Sequence, residues 1–192
     1  MTRLMADAGH NDCLSHIYQP IVAVAGSEQA QYQVLLRMRQ PDGSLLPASQ
    51  VIPAAELAGG IAQIDHWVLE HALFVLAERQ AQGPSLRLFV SQSPRSLARE
   101  SNAQWLLDAL RARGIEGTSQ VIDLRLADAL IHTVTLRQFC QQLMPAGVQF
   151  CLSQFESGPD GDSLLDRLPL GFVKLARKYT SSGMAPAVRD DL

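Results

Sequence analysis

Strand-like and helix-like segments alternate along this 192-residue chain, which predicts an α/β fold with a largely parallel sheet wrapped by helices. Three observations carry that expectation. Short runs rich in Ile, Val and Leu recur between longer segments whose apolar residues fall at helical spacing. Glycine and proline mark most of the junctions. Hydrophobic residues make up 47% of the sequence, ample at this length for one packed core. Residues 1–192 therefore read as a single domain, with a lead-in over 1–15 and a tail over 177–192.

Taken in order, residues 16–25 are rich in Ile and Val and predict a strand, with 31–39 as its partner. Pro41-Asp42-Gly43 is a turn signature. A short helix over 49–57 is stopped by Gly59-Gly60. The strongest helix signal covers 61–80, where Ile61, Ile64, Val68, Ala72, Val75 and Leu76 share one face; Gly83-Pro84 ends it. A strand over 86–90, a helix over 102–113 closed by Gly114 and a strand over 120–126 follow. A helix over 133–144, stopped by Pro145 and Gly147, leads to a strand over 148–152. A short helix over 162–168, with Asp162 as its N-cap, and a strand over 172–175 complete the series. Periodicity alone does not separate a barrel from an open doubly wound sheet.

Composition excludes several classes. The net charge is −3 and the longest basic grouping is Arg177-Lys178, too short for a nucleic-acid surface. No apolar run approaches the roughly 20 residues of a membrane helix, and Met1 to His10 lacks the apolar stretch of a signal peptide. Cys13, Cys140 and Cys151 are odd in number and widely spaced. They predict reduced thiols in the cytosol, the latter two buried. His66 and His71 are five apart and Glu70 completes no HExxH. Asp160-Gly161-Asp162 lacks the spacing of a calcium loop. Trp67 and Trp105 fall in helical stretches and predict core or interface positions.

Residues Gln33-Val34-Leu35-Leu36-Arg37, preceded by Tyr18-Gln19-Pro20-Ile21-Val22, carry the functional signal. Residues i, i+2 and i+4 of a strand share a face, so Gln33, Leu35 and Arg37 should look into one pocket. The pair of segments resembles the opening of the bacterial EAL domain, the cyclic-di-GMP phosphodiesterase family, whose second segment reads Glu-x-Leu-x-Arg. Further fragments in the right order strengthen the likeness: Pro41-Asp42-Gly43, Ile52-Pro53-Ala54-Ala55-Glu56, Ile64-Asp65-His66-Trp67-Val68-Leu69-Glu70, and the late Leu168-Pro169-Leu170-Gly171-Phe172-Val173-Lys174-Leu175. The resemblance covers Tyr18 to Ala176 and implies a (β/α)8 TIM-like barrel whose second strand is antiparallel to its neighbours. Such barrels take about 250 residues, so this one is expected to stop before the last two strands, either truncated or closed from elsewhere.

The same resemblance implies hydrolysis by two carboxylate-held divalent ions. Here the metal-binding Glu of the first motif is Gln33, and the next expected Asn falls at Ser91. The following Glu falls at Asp123, within one or two residues. The paired aspartates of "DDFG" fall at Ser153 and Gln154, ahead of Phe155, and the Asp of "KID" at Ala176 or its neighbour. Only Asp123 keeps a negative charge, too little to offset two desolvated dications. The expectation is a degenerate, inactive domain needing no metal or other cofactor.

Binding residues are expected to persist. Arg37 offers a phosphate fork, Gln19 a hydrogen bond to phosphate or base, and Leu35 an apolar wall. Pro53 shapes that wall. Asp65 either accepts from a guanine edge or is a helix-surface charge. Phe155 either stacks or packs, and Lys174 either meets a phosphate or is solvated. A remote relative with its pocket filled by core residues is the bland alternative. The degenerate motifs are most similar to the FimX-type regulators of type IV pili. That implies a cytoplasmic cyclic-di-GMP reader with a PilZ-domain partner, a role in twitching motility, and no nucleic acid or membrane insertion. Rival expectations are a metal-dependent phosphodiesterase with an unusual ligand set and a nucleotide-independent scaffold.

Overall fold

The computed structural model describes residues 13–22, 29–80 and 85–179. The Gly83-Pro84 stop, residues 23–25 of the first expected strand, the segment 1–12 and the tail beyond 179 lie outside them. One seven-stranded sheet forms the centre. It comprises β1 (Leu14–Ile21), β2 (Ala30–Arg39), β3 (Leu45–Pro47), β4 (Leu86–Ser91), β5 (Gln120–Arg125), β6 (Gln149–Phe155) and β7 (Phe172–Leu175). Their order is β1-β2-β4-β5-β6-β7, with β3 paired to β2. From β2 through β4, β5 and β6 to β7 every pairing is parallel.

The expected reversal is confined to one side. β2 runs antiparallel to β1 and β3 but parallel to β4. The strands that oppose the parallel set are therefore β1 and β3, and not β2, which reaches β4 through helices.

Among the described residues six helices cover the outer face: α1 (Ala48–Leu57), α2 (Ile61–Gln80), α3 (Pro94–Leu97), α4 (Glu100–Ala112), α5 (Leu126–Leu143) and α6 (Pro159–Arg167). Gly59 ends α1 at φ 73°. There the Gly60 N–H reaches the Ala55 carbonyl and the Gly59 N–H that of Glu56. That left-handed Schellman stop favours glycine because it has no Cβ. α2 matches its expected limits. α5 begins seven residues before the expected 133, and His132 leaves helical geometry inside it (φ −115°, ψ 24°). Beside that kink the Thr133 hydroxyl donates to the Ala129 carbonyl at 2.6 Å, a competitor of the backbone ladder that bends helices. α6 starts at Pro159 with Gly158 as its cap, so Asp162 sits in the first turn and not at the N-cap. Its charge there still suits the positive end of the helix.

The sheet is buried on both faces. Outward residues such as Val34, Leu36, Leu88, Val90, Ile122 and Leu152 join the helices in the main core. On the inner face Phe89, Val121 and Cys151 form a smaller cluster with Ile21 and Phe172 packed against it. An interior filled by layers of side chains is how a parallel barrel packs. Cys140 and Cys151 are buried, as expected, and burial pushes both thiols up to about 12. Trp67 and Trp105 pack, half-buried, on the main core. No helix of the described residues is long and apolar enough to cross a membrane.

Candidate functional site

The carboxyl ends of β4, β5 and β6, together with α1 and the start of α2, enclose a cleft of about 410 Å³. Parallel α/β sheets carry their ligands at that end, where loops leave the strands and helix N-termini point inward. Its walls include Pro53, Asp65, Ser91, Asp123, Arg125 and Gln154. Pro53 lies inside α1. Having no N–H, it gives nothing to the carbonyl of Ser49, another lining residue.

Asp65 is not a helix-surface charge: it is only 4% exposed. Its Oδ2 accepts the Ser93 N–H at 2.9 Å and the Ser96 hydroxyl at 2.6 Å. Burial raises its pKa, and the bonds from Ser93 and Ser96 oppose that shift. α2 thus reaches across with a carboxylate to anchor α3, whose own cap is Ser93. Gln92 adds a second tie, donating to the Asp65 carbonyl at 3.0 Å.

Beneath the cleft, the inner face gathers Gln33 of β2, Ser91 of β4, Asp123 of β5 and Lys174 of β7. Lys174 Nζ lies 2.5 Å from Asp123 Oδ2 and also donates to Gln33 Oε1. Gln33 Nε2 donates to Ser91 Oγ at 3.4 Å, and Ser91 Oγ to Asp123 Oδ2 at 3.4 Å. The ammonium rests 5.1 Å from the centroid of the Phe89 ring, within cation–π range. Asp123 Oδ1 is buried without a hydrogen-bond partner. Lys174 is therefore neither a solvated strand end nor free; it is the centre of this layer.

The row along β2 behaves as its alternation predicts. Val34 and Leu36 are each 5% exposed in the core, whereas Gln33, Leu35 and Arg37 lie on the opposite face. Register sets Gln19 directly across from Gln33, Ile17 across from Leu35 and Ser15 across from Arg37. Directly paired residues share a face, so Gln19, Ile17, Leu35 and Arg37 form one surface. Arg37 Nη1 donates to the Leu36 carbonyl at 2.9 Å, leaving the rest of its fork uncommitted to that bond.

The remaining positions divide. Gln154 reaches the cleft with a left-handed backbone at φ 57°, uncommon for a residue with a Cβ. It stands where the β6–β7 register shifts between Leu152 and Phe155. Ser153 turns back to the Leu124 carbonyl at 3.4 Å. Phe155 packs in the core at 7% exposure, so of its two expected roles the structure shows packing. Ala176 is buried as well. Sequence reasoning passed over two residues. Arg125 lines the cleft and bonds Asp128 at 2.6 Å; strand alternation from Asp123 was the available signal. Ile17, 43% exposed, needed the strand register to be found.

The fold and this site define a class: a parallel-stranded α/β domain whose polar pocket sits at the carboxyl ends of its strands. A family model for the EAL domain matches residues 3–188, and the chain belongs to that family. It is 30% identical over 181 residues to the cyclic di-GMP phosphodiesterase NbdA of Pseudomonas aeruginosa, covering 93% of this chain and 23% of that protein. An uncharacterised 76.5 kDa protein of Thiocystis violacea is 29% identical over 174 residues, with 91% and 25% covered. The chain thus spans about a quarter of the length of these curated relatives. Among solved structures, the FimX EAL domain of Pseudomonas aeruginosa bound to c-di-GMP superposes with a TM-score of 0.89 at 26% identity. That match covers 98% of this chain and 76% of the other. The MucR phosphodiesterase in complex with c-di-GMP gives 0.79 at 25% identity, covering 92% and 71%.

The donor set does not fit the divalent ions of the family's hydrolases. Among the described residues no group of three or more His, Cys, Asp or Glu side chains is placed to hold a metal. The one carboxylate of the inner layer is already paired with Lys174. A dication entering about 4 Å from that ammonium would meet a repulsion of about 8 kcal/mol at an effective dielectric constant near 20.

Proposed function

We propose that this domain binds cyclic-di-GMP without hydrolysing it and passes its occupancy to a protein partner. The observation that carries the reading is the commitment of Asp123 to Lys174 beside an intact row of Gln19, Leu35 and Arg37. Among the described residues no cluster of carboxylates is placed to hold activating metals, while the groups suited to an anionic purine dinucleotide persist. Arg37 takes a phosphate as a planar fork. Gln19 bonds phosphate or base, and Leu35 with Ile17 supplies an apolar wall. Pro53 shapes the cleft, and Asp65, through α3, holds its far side. Phe155 supports the wall from within the core. Metal is not required for this binding. Similarity to FimX-type domains supports a cytoplasmic role in type IV pilus control, with a PilZ-domain protein as partner.

Calorimetric titration of the domain with cyclic-di-GMP in EDTA should show binding. Arg37→Ala should weaken it by about 1–3 kcal/mol, the range for a hydrogen bond to a charged group. Absence of any binding heat would reject the reading. A second reading, hydrolysis, is favoured by one observation: the relative NbdA is a phosphodiesterase. Linear dinucleotide formed with Mg²⁺ or Mn²⁺, and lost in Asp123→Ala, would establish it instead. Partner affinity that is the same with and without nucleotide would mark a scaffold.

A further inference from the structure

We infer that the Lys174 ammonium takes the place of a metal ion in this pocket, and that Gln33 is the positioning residue that keeps its charge open to a phosphodiester. The inference rests on the nucleotide-binding reading and deepens it. An ammonium carries three donors. The Gln33 carbonyl oxygen and Asp123 Oδ2 engage two of them, and the Phe89 ring supports the charge from below. Lys174 is 32% exposed at the side chain, whereas Asp123 is 5% exposed. The cation therefore keeps an accessible side, while its anionic partner is almost fully buried.

Charge arithmetic explains why an amide suits position 33. Lys174 and Asp123 cancel, and Gln33 contributes an oxygen without a charge, so the trio is neutral with a donor to spare. A glutamate there would leave the trio at −1 and draw the ammonium between two carboxylates, away from phosphate. The amide orientation is set by its neighbours. Only its oxygen can meet an ammonium, and its nitrogen then serves Ser91 Oγ. Replacement of Glu by Gln at this position is on this view a gain for ligand binding in the absence of metal, and not simply a lost ligand.

Two titrations test this. First, cyclic-di-GMP is titrated in EDTA into the wild type, Gln33→Leu, Gln33→Glu, Lys174→Met and the double variant Lys174→Met/Asp123→Asn. The double variant leaves no unpaired buried charge, so it serves if Lys174→Met alone fails to fold. Expected losses are about tenfold for Gln33→Glu and for both Lys174 variants, and smaller for Gln33→Leu, which removes the clamp without adding charge. Wild-type affinity in Gln33→Glu or in the double variant would overturn the inference while leaving nucleotide binding intact. Second, Mn²⁺ is titrated without nucleotide, which keeps the inference testable even if cyclic-di-GMP does not bind. The wild type should take up none at millimolar concentration, whereas Gln33→Glu/Lys174→Met, now with two carboxylates and no ammonium, should gain binding. Mn²⁺ uptake by the wild type, or none by that double variant, would overturn it.

Discussion

Two regions of this domain remove ionisable groups from water, and they do so by opposite means. In the inner layer the buried Asp123 carboxylate is paired with the Lys174 ammonium. In the seam between β1 and α2, His16 has both ring nitrogens buried with no hydrogen-bond partner. It is packed among Trp67, His71 and Tyr18 at centroid distances of 4.9, 4.8 and 6.2 Å. Desolvation, reinforced by His71, lowers its pKa to about 4, so near neutrality the imidazole simply stays uncharged. A charge kept by pairing remains available to a ligand; a charge suppressed by burial serves packing alone.

Breaking the pair should give the largest effect. Lys174→Met strands the Asp123 carboxylate and should cost about 3 kcal/mol of stability, the low end for a broken buried pair because Lys174 is partly exposed. Lys174→Met/Asp123→Asn should recover most of that loss, as read by urea denaturation at pH 7. Acid should break the other region. The folded pKa of His16 lies below its unfolded value of 6.5, so the unfolded chain takes the proton first. Its contribution is present in full above pH 6.5 and disappears as pH falls towards 4, by an amount on the order of 3 kcal/mol. Denaturation midpoints measured across that window should flatten in His16→Phe. If the slope persists unchanged, His16 is not its source. The smallest effect sharpens the comparison with a third buried group. Ser96→Ala removes one of the two bonds to the Asp65 carboxylate and should cost about 1–2 kcal/mol, again by urea denaturation.

Legibility in the sequence followed the range of the interactions. The alternation along β2 and the spacing along α2 are local, and both could be read directly. The fragments from Gln33 to Lys174 gave the family and hence the barrel-like sheet. β3, three residues long, is too short to show a period. α3 carried a readable signal in Ser93-Pro94, a cap followed by proline at N1, which strand and loop expectations covered over. The first half of α5 stayed hidden because the kink at His132 makes the pattern restart at Thr133. Lys174 meeting Gln33 across 141 positions could not be read at all. Lysine at a strand end is compatible with solvent, and only the curvature of the sheet brings it to the amide. Of the two roles the sequence left open for Asp65, the surface charge is ruled out by its burial, and its partners Ser93 and Ser96 belong to the short α3 and its cap.

The direction of β1 decides which rim its first residue occupies. Leu14 pairs with Met38, near the end of β2 that carries Arg37, so β1 begins on the rim that bears the cleft. A first strand parallel to the rest would have begun at the opposite rim. Leu14, Gln19 and Gln33 therefore belong to a single antiparallel ladder, with no helix in between.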